Sequence, residues 1–240
     1  MRNFRRFSYK DTNLKVAGDH FDVVTSEVIA QRKQLEKYIR RHPAFQSALE
    51  PVLLQSDAPE VARRMALASE KTGLGPMAAV AGTLAQLGAE KALEMGTSEV
   101  IVENGGDMYI ACGSVLTIGI HTGDEKFGDA LAFELPASRV AICSSSSRMG
   151  HSLSFGNCAL ATAVSADAAM ADAAATLLGN LITSPDTLPD AVERVGTIEG
   201  IDGVMAIIDG QIGLYGNLPK IVKNQDPDTA HKITRDRLSE

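Results

Sequence analysis

Asp172 and Thr176 stand four residues apart inside Ala159–Asn180, ALATAVSADAAMADAAATLLGN, a run dominated by small side chains. In a helix, positions i and i+4 lie one turn apart on the same face, so this carboxylate and hydroxyl would point the same way. Two hard oxygens on one face suit Mg²⁺, which takes one or two protein carboxylates and fills its other positions with water and substrate phosphates. The surrounding alanines leave room for a ligand to approach closely. The same residues also fit an Ala-rich buried helix in which Thr176 bonds back to a carbonyl and Asp172 lies near the N-terminal turn.

Two further stretches carry chemistry. Asn104-Gly105-Gly106-Asp107 follows a β-branched run, and adjacent glycines allow positive φ and bring backbone amides near a ligand. It is equally an ordinary hairpin signal. It is not a dinucleotide fingerprint, because G-x-G-x-x-G is absent, and no Walker A sequence occurs. Ser144-Ser145-Ser146-Ser147-Arg148-Met149-Gly150-His151-Ser152 gathers hydroxyls, a guanidinium and an imidazole. Such a loop can hold a pyrophosphate through hydroxyls, amides and Arg148, or it can be a polar surface loop. There is no G-x-S-x-G elbow to support a Ser-His-Asp triad.

The elements that must position these residues follow from periodicity and punctuation. Phe4–Tyr9 and Phe21–Thr25 read as β-like pieces around an Ala17-Gly18-Asp19 turn. Ser26 then caps a helix to about Arg40, Pro43 opens a short helix, and Pro51 closes it. A third helix runs from Asp57, a possible cap, to Thr72, with Gly73 beyond its end. A fourth follows the small residues Ala78 to Gly82 and stops at Gly96. Strands are expected at Ser98–Asn104, Met108–Ala111, Leu116–His121, Ala130–Leu135 and Val140–Cys143. After the Asp172 helix come a short helix at Asp190–Val195 and a hairpin, Val204–Ile208 and Ile212–Tyr215, around Asp209-Gly210. No linker or repeat interrupts residues 1–223, which read as one α+β domain, while 224–240 is polar and reads as a loose tail.

Composition narrows the function classes. Hydrophobic residues at 45% and charged residues at 22% are those of a globular chain able to bury a sizeable core. A net charge of −7, 5% aromatics and no Trp give neither an electrostatic footprint nor a stacking surface for nucleic acid. The basic N-terminus lacks the apolar run of a signal peptide, and no stretch is apolar enough for a membrane span, so a cytoplasmic protein with no membrane partner is expected. Cys112, Cys143 and Cys158 show no C-x-x-C spacing and read as buried free thiols.

Taken in order, RKQLEKYIRRHPAF, GPMAAVAG, VENGGDMY, CSSSSRMGHSLSFG and ADAAAT resemble the ApbE-like superfamily, whose best-known members are FAD:protein FMN transferases. The resemblance covers about residues 4–220 and is nearest to a cytoplasmic subgroup of that superfamily. It implies a single compact domain with antiparallel sheets and packed helices. By residue-for-residue match it implies Mg²⁺ at Asp172 and Thr176, with Asp172 and His151 in the catalytic site. The flavin nucleotide, FAD or FMN, would lie beside Asn104, Gly105, Gly106 and Asp107, with Ser145, Ser146, Arg148, Gly150 and Ser152 from the serine-rich loop. The implied chemistry is attack by an acceptor hydroxyl on the FAD pyrophosphate, giving FMN transfer to an acceptor protein, or FAD hydrolysis. Where transferases carry an A-K-G-Y-A-V-D-like segment, this chain has Ala81 for the Lys and Gln86 for the Asp. That loss of a cation and a carboxylate motivates a second class of function, a non-catalytic small-molecule-binding or accessory protein, with a role in sulfur metabolism permitted by the subgroup resemblance. The small residues also suit a third, a structural homo-oligomer.

Overall fold

Chain segments that are apolar on both sides decide this architecture, because they must be covered twice. The structure, a computed structural model, describes residues 2–147 and 155–226. In chain order it forms β1 (Phe4–Tyr9), β2 (Thr12–Gly18), α1 (Phe21–Arg41), α2 (Ala44–Ser47), α3 (Glu60–Thr72) and a 3₁₀ turn at Pro76–Ala79. There follow α4 (Val80–Glu94), β3 (Val100–Asn104), β4 (Asp107–Cys112), β5 (Leu116–Ile120), β6 (Leu131–Leu135), β7 (Ser138–Ser145) and β8 (Leu160–Ser165). The chain continues through α5 (Ala168–Leu181), a 3₁₀ turn at Pro185–Thr187, α6 (Leu188–Gly196), β9 (Gly203–Ile208), β10 (Gln211–Gly216) and β11 (Lys220–Lys223).

Eight strands form one antiparallel sheet in the order β1-β2-β3-β4-β7-β8-β9-β10, and β11-β6-β5 form a smaller antiparallel sheet. Strands β3, β8 and β9 are buried at every position. Val100, Val102, Tyr109, Ala141, Cys143, Ala161 and Ala163 face the helices, in one core with Val24, Leu84 and Leu178. Ile101, Ile110, Ile142, Leu160 and Val164 face the small sheet and pack with Leu116, Ile120, Phe133 and Leu135. The result is the single α+β domain expected from the sequence, three layers deep: helices, large sheet, small sheet.

Several local expectations change. Phe21–Thr25 is not a strand but the first turns of α1, and Ser26 lies within that helix rather than capping it. Its β-branched Val24 and Val28 pack on α4, where Gly88 permits the approach: a Cβ there would sit 2.9 Å from Val28 Cγ2. β2 was missed because the turn before it lies at Lys10, with φ 55°, rather than at Ala17-Gly18-Asp19. Asp57 does not cap α3, which begins at Glu60 after Pro59; it pairs with Arg41 at 2.6 Å and His42 at 3.0 Å. Gly73 ends α3 in the left-handed conformation, as expected. The Ala159–Asn180 stretch divides: Leu160–Ser165 is a strand, and the helix starts at Ala168 with Asp167 Oδ1 accepting from the amides of Ala169 and Met170 at 2.8 and 3.2 Å. β11 was also missed. Asn224 is bonded to the backbone of Ala130 and Asp129, and residues 227–240 of the expected tail lie outside the described residues.

Candidate active site

Two helix N-termini meet at the site, and each is capped by a side chain of the other helix. Asp172, the fifth residue of α5, places Oδ2 2.8 Å from the amide of Gly82 and also accepts from the amide of Ala81, both in the first turn of α4. That turn has no cap of its own. Gln86 of α4 returns the bond: its Oε1 accepts from the amide of Ala168, the first residue of α5, at 2.6 Å, and its Nε2 donates to Glu90 at 2.8 Å. Unpaired amides at a helix start need such acceptors, and a carboxylate there also meets the positive end of the helix dipole. The contact depends on Gly82, because a Cβ at that position would lie 2.3 Å from the Ala168 carbonyl oxygen and 2.9 Å from Asp172 Cβ.

The β3–β4 hairpin delivers a second carboxylate to the same place. Gly105 and Gly106 both have positive φ, 67° and 107°, as the primed two-residue turns require, and Asn104 pairs with Asp107 across the turn. Asn104 Nδ2 donates to the Ala81 carbonyl at 3.1 Å, fastening the hairpin to the start of α4. Asp107 is buried on the helix side of the sheet beside Cys143 and the backbone of Ser144. Burial first, and then the charge of Asp172, push its pKa well above the ordinary carboxyl range. Burial likewise raises Asp172, against the pull of its two helix amides. Asp107 Oδ1 is buried with no hydrogen-bond partner among the described residues. Two buried carboxyls that oppose each other's ionisation, one with an unpaired oxygen, are a donor set that a hard divalent cation fits. Among the described residues no three or more His, Cys, Asp or Glu side chains cluster to hold a metal, so the remaining ligands would be hydroxyl, carbonyl or substrate oxygens.

On the other face of the sheet, under β5 and β6, lies a cavity of about 840 Å³. Gly105, Gly106 and Ser144–Ser146 line one part of it, Arg6, Lys15 and Glu103 another, and Phe133, Ile142 and Leu160 form apolar wall. Ser144 Oγ and Thr162 Oγ1 share a hydrogen bond of 2.9 Å, and Ser146 Oγ donates to the Ala159 carbonyl at 2.7 Å. The structure therefore brings Asn104, Gly105, Gly106, Asp107, Ser145, Ser146 and Asp172 to one end of the sheet. It does not put them in one chamber: the glycine turn and the serines line the cavity, while Asp107 and Asp172 lie among the helices. Thr176 is half-buried one turn after Asp172 on α5. Arg148, Gly150, His151 and Ser152 lie outside the described residues. The three cysteines are buried and free, as expected.

Sequence reasoning missed two features. The reciprocal capping by Gln86 left a faint signal, a buried amide in a helix of mostly small and apolar residues. The other is a His121–Asp129 pair, joined at 2.6 Å with His121 on the cavity wall, for which no motif exists in the sequence.

The sequence profile of a family described as "AbpE bacteria" matches residues 3–202. A UPF0280 protein of Methanocella arvoryzae is 37% identical over 227 residues, covering 93% of this chain and 92% of that one. One from Methanococcus vannielii is 34% identical over 229 residues, covering 92% and 93%. Among solved structures, the apo flavinyl transferase ApbE of Pseudomonas stutzeri superposes with a TM-score of 0.59 over 89% of this chain and 94% of that one, at 14% identity. The flavin transferase ApbE of Vibrio cholerae gives 0.55 over 90% and 96%, at 11% identity. At such identities the likeness is one of fold. Among the described residues, no helix is long and apolar enough to cross a membrane.

Proposed function

This chain belongs to the ApbE-like superfamily, and on that premise we propose that it binds FAD or a related flavin nucleotide together with Mg²⁺ and cleaves or transfers across the pyrophosphate. The observation that carries the reading is the junction at the β3–β4 turn. There a glycine pair with positive φ and a serine-bearing strand end border a large cavity, and two buried carboxyls lie behind. The solved neighbours are flavin transferases, an activity that fits this chemistry.

In this reading Asp172 and Thr176, with Asp107, hold the metal, which when bound supplies positive charge against the phosphate oxygens. Gly105, Gly106, Ser145 and Ser146 border the nucleotide from the cavity, with Asn104 and Asp107 at the helix side of the same turn, joined by Arg148, Gly150, His151 and Ser152 from the loop. The amides of the Gly105-Gly106 turn orient phosphate oxygens through hydrogen bonds. The apolar wall of Phe133, Ile142 and Leu160 accommodates a ring system and keeps water from it. Fixing the reacting groups in this way supplies catalysis mainly through positioning and electrostatics.

A second reading, a protein that holds or delivers the nucleotide without chemistry, is favoured by Gln86. Its amide is committed at both ends to helix contacts, and Ala81 offers only backbone. One assay separates the two. Purified protein is incubated with FAD and Mg²⁺, with water or a hydroxyl-bearing peptide as acceptor, then followed by flavin absorbance after desalting and by chromatography for AMP. Retained flavin with AMP release is the expected result. Retained flavin without AMP selects the delivery reading, and no retained flavin removes both.

A further inference from the structure

We infer that His121, oriented by Asp129, is the general base of the proposed pyrophosphate chemistry. The inference rests on the nucleotide reading given above. His121 follows the last residue of β5 and Asp129 stands two residues before β6, so the pair closes the loop between these strands. His121 Nδ1 lies 2.6 Å from Asp129 Oδ1. The carboxylate accepts the Nδ1–H, which fixes the tautomer and leaves Nε2 as the basic nitrogen. Among the described residues Nε2 has no hydrogen-bond partner, and His121 lines the same cavity as Gly105, Gly106 and Ser144–Ser146.

The loop that carries the pair is held rigidly. Thr122 Oγ1 donates to the Gly128 carbonyl at 2.8 Å, and the amide of Gly128 donates to the Asp124 carbonyl at 2.8 Å. Asp124 Oδ1 accepts from the amide of Lys126 at 2.9 Å, while Oδ2 accepts from the amide of Gly210 at 2.9 Å and so ties the loop to the β9–β10 turn. The carbonyl of Asp129 accepts from Asn224 Nδ2 at 2.8 Å. A hydrogen-bonded pair with both side chains about a quarter to a third exposed contributes little stability, so fold maintenance is a weak reason for this arrangement. A cavity-lining histidine whose Nδ1 is held by a carboxylate, on a loop tied down by hydrogen bonds, is suited to proton abstraction.

The step balances as follows. Nε2 takes the proton from the O–H of water or an acceptor hydroxyl as that oxygen bonds to the FMN-side phosphorus. The bond from this phosphorus to the bridging oxygen breaks, AMP leaves with that oxygen and its negative charge, and the proton on Nε2 passes to solvent.

The test uses the full chain with FAD and Mg²⁺, reading AMP release and FAD affinity separately for wild type, His121→Ala and Asp129→Asn. His121→Ala should lower the rate of AMP release about 10²-fold or more, the usual scale of general-base catalysis, while the dissociation constant for FAD moves no more than about threefold. Added imidazole should restore part of the lost rate in His121→Ala, which a purely structural role would not allow. Asp129→Asn should lose rate with unchanged affinity, because it disturbs the tautomer and not the pocket. Unimpaired release by His121→Ala, or a loss that imidazole leaves untouched, overturns the assignment and leaves the nucleotide reading standing. Wild type that binds FAD without releasing AMP also overturns it. Wild type that binds no FAD removes the nucleotide reading itself, and this inference with it.

Discussion

Gln86 shows how one buried amide can tie several helices together, because it accepts and donates at once. The amide caps the first turn of α5 through Oε1 and anchors Glu90 through Nε2. Glu90 is in turn bonded to Arg64 of α3 at 2.9 Å, so the amide joins three helices behind the site. An amide does both jobs at once, since it accepts and donates, whereas an ionised carboxylate only accepts. Replacing Gln86 with Leu removes the acceptor and leaves the amide of Ala168 buried without a partner. The expected loss is about 1–3 kcal/mol of unfolding free energy, read as a lower urea midpoint with unchanged slope. An unchanged midpoint would show that the Ala168 amide finds another acceptor.

At the scale of elements, the packing of α4 on α5 decides whether Asp172 can reach its partners, and Gly82 decides the packing. The Cβ of an alanine at 82 would press on backbone at Ala168, which cannot rotate away as a side-chain tip would. Gly82→Ala should therefore push the two helices apart, cost about 1–3 kcal/mol as an overpacked core substitution does, and loosen the Asp172 bond to the residue 82 amide. Thermal unfolding measures the first effect, and amide hydrogen exchange at residues 81 and 82 measures the second. Retention of both wild-type stability and wild-type protection would contradict the close contact. The sequence was informative about the site in proportion to how local each signal was. The Gly105-Gly106 and Asp209-Gly210 turns were legible because positive φ at adjacent positions selects glycine and a few small polar residues, and the structure has φ of 67°, 107°, 46° and 71° at these four residues. The i, i+4 spacing of Asp172 and Thr176 was legible for the same reason. Leu160–Ser165 was not, because a strand covered on both faces loses its alternation and reads like the buried helix that follows. Phe21–Thr25 failed in the opposite direction, its β-branched residues drawn into a helix by packing on α4. The His121–Asp129 pair was invisible because only the β5–β6 register brings the two residues together.

For the whole molecule, the buried carboxyls couple stability to pH and to metal. The folded chain holds the Asp172 proton up to about pH 7, against an ordinary carboxyl value of 3.8. Between those values the folded state binds a proton that the unfolded chain has released, so stability from this group falls as pH rises from about 4 to about 7 and is level above that. The elevation of Asp107 acts in the same direction. Metal-free protein should thus unfold at lower temperature at pH 7.5 than at pH 5, once the remaining titrations are subtracted using Asp172→Asn. That variant keeps an oxygen for the amides of Ala81 and Gly82 but has no charge to bury, so its profile should be flatter across this window. Mg²⁺ bound between ionised carboxyls reverses the penalty. Ligand at about 100 times its dissociation constant adds about 2.7 kcal/mol, which for a chain of this length raises the midpoint by roughly 5–10 °C. The rise should be seen at pH 7.5, shrink at pH 5 where protons compete for the oxygens, and be absent in Asp172→Asn at either pH. An equal Mg²⁺-induced rise in wild type and variant would place the ion elsewhere on the molecule and remove Asp172 from the metal site.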